Sequence, residues 1–161
     1  MPGRLDGKVC VITGTGGSIG RATALTFARE GALIVGSDVT VDPAQVTVEW
    51  VQRAGGQMAS LHPCQINEPS ECARLVNFTM SEFGRIDVSF NLASQSHFSP
   101  IETFTDGDWS AARRDEIDLV FYLTREAWPH LRASRGGDPE HGLAEWITQF
   151  QTAPGPGSHD Q

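Results

Sequence analysis

Lysine is almost missing from this chain: Lys8 is the only one, and Tyr122 is the only tyrosine. Chemistry that needs a closely spaced tyrosine and lysine is therefore excluded. The three cysteines, Cys10, Cys64 and Cys72, are an odd number with no C-x-x-C pair, which speaks against a disulfide framework and against a zinc site. Cationic side chains are scarce as well. Twelve Lys and Arg stand against 20 Asp and Glu, a net charge of −8, and such a surface repels nucleic-acid backbones and anionic membranes. No apolar run approaches the roughly 20 residues needed to cross a bilayer, and no positive, apolar and cleavage regions follow one another at the N-terminus as in a signal peptide. The cytoplasm is the expected location. What the chain does have is 39% hydrophobic residues over a length of 161, enough for a single core.

The apolar pattern alternates between two periods. Lys8 to Thr13 (KVCVIT) is a β-branched run ending in glycines, the pattern of a buried parallel strand. Ser18 to Arg29 has helical spacing and stops at Gly31. A second strand is expected over Ala32 to Gly36, with Asp38 just beyond it, and a helix capped by Asp42 and opened by Pro43 reaches Ala54. A third strand over Gln57 to Leu61, a helix opened by Asn67 and Pro69 and ending at Phe83, and a fourth strand over Ile86 to Asn91 repeat the alternation. Thr105 and Asp106 then cap a long helix from Asp108 to Leu131, with Val120, Phe121, Leu123, Thr124 and Trp128 as its packing face. The connections are too long for hairpins, so the fold class is α/β: a Rossmann-type, doubly wound parallel sheet in strand order 3-2-1-4. Residues 1–132 form this domain, and 133–161, broken by Gly and Pro, read as an irregular or disordered tail.

Thr13-Gly14-Thr15-Gly16-Gly17-Ser18-Ile19-Gly20 lies between the first strand and its helix. Glycines there permit a tight turn and let backbone amides and the helix N-terminus approach a pyrophosphate. Asp38 follows Gly14 by 24 residues, close to the offset at which an acid meets the adenosine ribose. Its two oxygens accept from two hydroxyls. A 2′-phosphate would meet like charge there, and Val35 to Val41 offers no Arg or Lys, so NAD is favoured over NADP.

These residues resemble a known family. Thr13-Gly14-x-x-x-Ser18-Ile19-Gly20 is similar to the TGxxxGIG loop of the short-chain dehydrogenase/reductase family, with Ser18 in place of a glycine, and Asp38 falls where NAD-preferring members keep their acid. Cys64-Gln65-Ile66 resembles the Asp-Val/Ile segment that holds adenine, Asn91-Leu92-Ala93-Ser94 the NNAG segment, and Trp109 with Ile117-Asp118-Leu119 the following helix. The resemblance runs from about Leu5 to Arg135. It implies that Gly14, Gly17, Ser18 and Ile19 cradle the pyrophosphate, Asp38 binds ribose, Gln65 and Ile66 contact adenine, and Asn91 with Ala93 flank the nicotinamide-side ribose. It also puts Asp118 at the position of the family's catalytic asparagine. The implied activity is hydride transfer between a nicotinamide and a small alcohol or carbonyl.

The family's proton donor is a Tyr-x-x-x-Lys pair, and this chain has none: Tyr122 is followed four places on by Glu126, so it reads as a packing residue. The expectation is an impaired catalyst, truncated after the fourth strand and the long helix. Codons for Gly137 to Trp146 can be chosen so that reading one nucleotide later spells VILNTASLNG, a plausible fifth strand and serine loop, and a frameshift near Gly136 is the explanation this favours. Two alternatives stand beside the dehydrogenase: a non-catalytic dinucleotide-binding fragment or sensor, and an S-adenosylmethionine-binding Rossmann domain. Family members assemble through the long helix and the next one, which is missing here, so the resemblance fixes no assembly for this chain. His62, Cys64 and Cys72 lack metal-ligand spacing, and Asp106-Gly107-Asp108 reads as helix capping rather than a calcium loop.

Overall fold

A computed structural model describes residues 3–134. Four strands, β1 (Val9–Thr13), β2 (Leu33–Ser37), β3 (Gln57–Leu61) and β4 (Val88–Phe90), form one parallel sheet in the order β3-β2-β1-β4. Helices α1 (Ser18–Arg29), α2 (Val41–Arg53) and α3 (Pro69–Phe83) make the crossovers. After β4 come α4 (Asp106–Arg113), a π-helical turn (Arg114–Asp118) and α5 (Leu119–Ser134). This is the expected Rossmann-type arrangement. α5 continues two residues past the expected boundary at 132, and the rest of the expected tail, with the proposed frameshift, lies outside the described residues. No helix among the described residues is long and apolar enough to cross a membrane.

Strand geometry sorts the core. Alternate residues of a strand point to opposite faces, so Val11 and Val35 join the layer under α3 and α5, while Cys10, Ile12 and Ile34 join the layer under α1 and α2. Both faces are covered, which is why β1 is apolar at nearly every position rather than alternating. On α5 the buried positions are Leu119, Leu123 and Ala127, spaced by four, whereas Phe121 is exposed. The expected face holds in part: Leu123 and Val120 pack against the core, Phe121 points outward, and Tyr122 packs against the core as well.

The element ends differ from expectation for identifiable reasons. α2 starts at Val41 with Thr40 as its N-cap, two residues before the Pro43 start. Pro43 fits because first-turn amides have no intrahelical acceptor in any case. Glu68, not Asn67, precedes α3, and the Asn67 side chain turns toward another element. β4 ends one residue before Asn91 and begins at Val88 rather than Ile86, where the Asp87 side chain takes the place of a ladder bond by accepting the Val9 amide at 2.9 Å, as well as Arg85 and Lys8. Burial raises the carboxyl's pKa, but these donors outweigh it and hold it below the usual range. Thr105 does cap α4, through a reciprocal pair with Asp108.

The β1–α1 junction is closely packed. A Cβ at Gly20 would stand 2.1 Å from the Gly14 carbonyl oxygen, so only glycine lets the first turn of α1 lie this close to the strand exit. Gly20→Ala is expected to destabilise the chain by about 2 kcal/mol or more, as overpacking against backbone does, read as a lower urea midpoint. A midpoint equal to wild type would show that the junction relaxes freely.

Candidate functional site

The carboxyl ends of β1, β2 and β4 open into a cleft of about 460 Å³. Its floor is set by the way the chain leaves β1. Thr13 is fully buried, and its hydroxyl oxygen accepts the amides of Leu92 and Ala93, both at 3.0 Å. Gly14 adopts φ +76°, a conformation that disfavours a side chain. From there the Gly14 and Thr15 amides donate to the Ser37 carbonyl at 2.8 and 3.2 Å. The loop after β1 is thus fastened both to the end of β2 and to the segment after β4.

Beyond this bend, α1 begins with unspent donors. The Gly17 amide returns to the Gly14 carbonyl at 3.2 Å and the Arg21 amide to the Gly17 carbonyl at 3.0 Å, whereas the amides of Ser18, Ile19 and Gly20 donate to no group among the described residues. Three N–H groups at a helix N-terminus carry partial positive charge and suit an anion. Asp38 stands opposite. One carboxylate oxygen accepts the Gly16 amide at 2.7 Å, and the other accepts the Thr40 amide at 2.8 Å and hydroxyl at 2.6 Å. The Asp38 carbonyl accepts the Cys64 amide at 2.8 Å, which draws the segment after β3 to the same end of the sheet.

Of the site residues named from the sequence, Gly14, Gly17, Ser18, Ile19, Asp38, Gln65, Ile66 and Ala93 line the cleft, and Asn91 does not. The Asn91 side-chain oxygen accepts from the Ser89 hydroxyl at 3.2 Å instead. Ile66 is buried and Gln65 exposed, so Gln65 has freedom to turn toward a ligand while Ile66 forms wall. Cys64 also lines the cleft, but burial pushes its thiol up to about 11, and Cys72 is pushed to about 12 for the same reason. Neither is a nucleophile at neutral pH. Among the described residues, no three His, Cys, Asp or Glu side chains converge as metal ligands.

The helix after β4 brings to the cleft an acid that the sequence did not single out. Asp118 does not line the cleft; it is half-buried and lies 3.8 Å from Arg113. Asp115, within the π turn, lines it instead and is almost wholly buried. Its carboxylate accepts Asn67 Nδ2 at 2.7 Å, Arg114 Nε at 3.0 Å and His97 Nε2 at 2.9 Å, while its carbonyl accepts the Gln95 amide at 3.3 Å. One residue therefore joins the loops after β3 and β4 to the helix. Asn67 Oδ1 is enclosed without a partner among the described residues, so the single bond to Asp115 orients that amide. The Asp115 signal was hidden in the run Arg113-Arg114-Asp115-Glu116, which reads as a solvated charged face unless the π turn is known.

The Arg114 guanidinium is the main cause that lowers the Asp115 carboxyl to about 2; burial opposes it, and the Asn67 and His97 bonds add to it. With an unfolded carboxyl near 3.9, this depressed value contributes stability that is complete above the unfolded pKa and is lost as pH falls through the folded one. Asp115→Asn is expected to cost about 1–3 kcal/mol at neutral pH. The gap from wild type in urea unfolding should narrow as pH drops from about 4 toward about 2. A gap that stays constant over that window would contradict the assigned role of the charge.

Comparison with known proteins agrees with this geometry. The family model for short chain dehydrogenases matches residues 8–138. The chain is 34% identical over 134 residues to 7alpha-hydroxysteroid dehydrogenase of Escherichia coli (strain K12), covering 83% of this chain and 52% of that protein. It is 30% identical over 138 residues to cyclohexanol dehydrogenase of Acinetobacter sp. (strain SE19), covering 85% and 55%. A solved 7 alpha-hydroxysteroid dehydrogenase in complex with NADH and 7-oxo glycochenodeoxycholic acid superposes with a TM-score of 0.77 at 33% identity, over 81% of this chain and 51% of that one. A solved NADH-dependent reductase A1-R' in complex with NAD does so with a TM-score of 0.77 at 33% identity, over 84% and 57%. The chain spans about half the length of the curated relatives it matches. With the glycine bend, the helix N-terminus and the acid after β2 in the same relation to a 3-2-1-4 sheet, the chain belongs to the short chain dehydrogenase family.

Proposed function

We propose that the cleft binds NAD, and that residues 1–132 are the dinucleotide-binding part of an oxidoreductase acting on an alcohol or carbonyl. The observation that carries this reading is the pairing of three free amides at the start of α1 with the Asp38 carboxylate across the cleft. A diphosphate fits the amides, and a ribose fits the acid. The donor set suits the group: anion-seeking N–H groups on one side, hydroxyl-seeking oxygens on the other.

The preference for NAD follows from lone pairs and charge. Asp38 already accepts three bonds, from the Gly16 amide and from the Thr40 amide and hydroxyl. A carboxylate has about four acceptor sites, so one remains for a ribose hydroxyl. A 2′-phosphate would be driven off by like charge; two unit charges 4 Å apart repel by about 4 kcal/mol near a protein surface.

Bound there, the nicotinamide supplies a ring that takes or gives a hydride. The chain's own residues bind and orient. Thr13 fixes Leu92 and Ala93 as one wall, Asp115 fixes Gln95 and Asn67 on the other side, and Ile66 excludes water from the adenine end. No Tyr-x-x-x-Lys is present in this chain to protonate an alkoxide, so the reading gives binding without turnover.

Calorimetry with the whole chain tests this. NAD should bind at least about tenfold more tightly than NADP, Asp38→Ala should remove that preference mainly by weakening NAD, and NADH should not be consumed with any carbonyl substrate. Equal affinity for the two dinucleotides would overturn the cofactor preference, absence of heat with both would overturn the binding site, and steady NADH oxidation lost on Asp38→Ala would overturn the non-catalytic reading.

A further inference from the structure

Gly16 and Gly17 have no side chains to hold them, yet their peptide planes are fastened at both ends. In a trans peptide the C=O and N–H point in opposite directions, so holding one end aims the other. The Thr15 carbonyl accepts the Thr47 hydroxyl at 2.7 Å, while the Gly16 amide of the same plane donates to Asp38. The Gly16 carbonyl accepts Arg21 Nη2 at 3.4 Å, while the Gly17 amide of that plane donates to the Gly14 carbonyl. Both outside fasteners belong to one unit. Arg21 Nε donates to Thr47 Oγ1 at 3.0 Å, Arg21 Nη2 also reaches the Pro43 carbonyl at 3.3 Å, and the guanidinium lies over the Trp50 ring, 5.0 Å from its centroid. Thr47 is wholly buried. Its hydroxyl accepts from Arg21 and donates to the Thr15 carbonyl, the nearer of the two carbonyls it reaches, the Pro43 carbonyl lying at 3.2 Å.

The geometry points to Arg21 and Thr47 as positioning residues for the diphosphate seat, a role that rests on the dinucleotide reading above. They strap the glycine loop to α2, the helix that begins directly after Asp38, so that the loop and the ribose-binding acid move as one frame. By turning the Thr15 and Gly16 carbonyls toward α2, the strap keeps their oxygens out of the cleft. An anion entering the seat then meets the amides of Ser18, Ile19 and Gly20 without facing a carbonyl dipole. A permissive glycine loop left without the strap rotates these planes, and its oxygens oppose the phosphates. Adenosine, which lacks phosphates, does not meet these amides, and Asp38 stays in place for its ribose through the Thr40 amide and hydroxyl even when the Gly16 amide turns away.

The test compares ADP with adenosine by calorimetric competition on the whole chain, since the two share adenine and ribose and differ in the diphosphate. Thr47→Val keeps the shape and β-branching of the side chain but loses the hydroxyl; Thr47→Ser keeps the hydroxyl. Thr47→Val and Arg21→Met are expected to weaken ADP by about tenfold, leave adenosine within about twofold, and so lower the ADP-to-adenosine affinity ratio; Thr47→Ser should restore it. Arg21 is partly exposed, so Arg21→Met retains a folded chain even if the buried substitution does not. A merely structural strap would lower the melting temperature and leave the ratio unchanged, and that result, or Thr47→Ser behaving as Thr47→Val, overturns the inference. Failure of the wild-type chain to bind ADP at all removes the dinucleotide reading and this inference with it, whereas wild-type binding with an unchanged ratio in the variants removes this inference alone.

Discussion

The exit from β1 is the constraint from which the cleft follows. Gly14 turns into the left-handed region, and its amide and that of Thr15 converge on the Ser37 carbonyl. This convergence ties the ends of β1 and β2 together, sends the chain directly into α1, and leaves the next amides without internal acceptors. Thr13, one residue earlier, applies the same logic on the other side by taking the amides of Leu92 and Ala93. A single bend thus sets the separation between the seat on α1, the acid after β2 and the wall after β4. Because backbone groups do most of this work, side chains along the loop can stay small.

The proposed anion-binding site in a chain of net charge −8 is not a contradiction. Net charge acts over long distances and is screened within about 8–10 Å at ordinary salt, whereas helix-terminal amides act at contact. The acids near the cleft are themselves occupied. Asp38 is bonded to the Gly16 amide and to Thr40, and Asp115 to Arg114, Asn67 and His97. Their charges are partly spent on holding loops, and the proposed diphosphate position lies at the start of α1, where the Ser18, Ile19 and Gly20 amides have no acceptor among the described residues. The two carboxylates have different tasks as a result: Asp38, half-buried, keeps acceptor capacity for a ligand, while Asp115, enclosed, accepts four bonds, from Asn67, His97 and both Nε and Nη2 of Arg114.

Parts of this were readable from residues alone. Apolar runs ending in glycine placed β1 and β2, helical spacing placed α1 at its observed limits, and parallel connections dictated the strand order. These features depend on local periodicity and on rules of connection that hold whatever the side chains do. The limits of β4 and the starts of α2 and α3 were less readable, because each depends on a side chain from elsewhere. Asp87 replaces part of a ladder, Asp38 supports the Thr40 cap, and Asn67 leaves its helix to meet Asp115.

The amino-acid order by itself determined the glycine bend, the offset of Asp38, and the absence of a tyrosine and lysine spaced for proton transfer, since all three are statements about neighbours along the chain. Only the tertiary structure decided which acid on the helix after β4 faces the cleft, that Phe121 points outward, and that Arg21 and Thr47 hold the loop. A π turn shifts every following side chain around the helix axis, and a strap between α1 and α2 joins residues 26 positions apart. Neither leaves a periodic trace: the first changes the period within one turn, and the second exists only once two helices lie side by side.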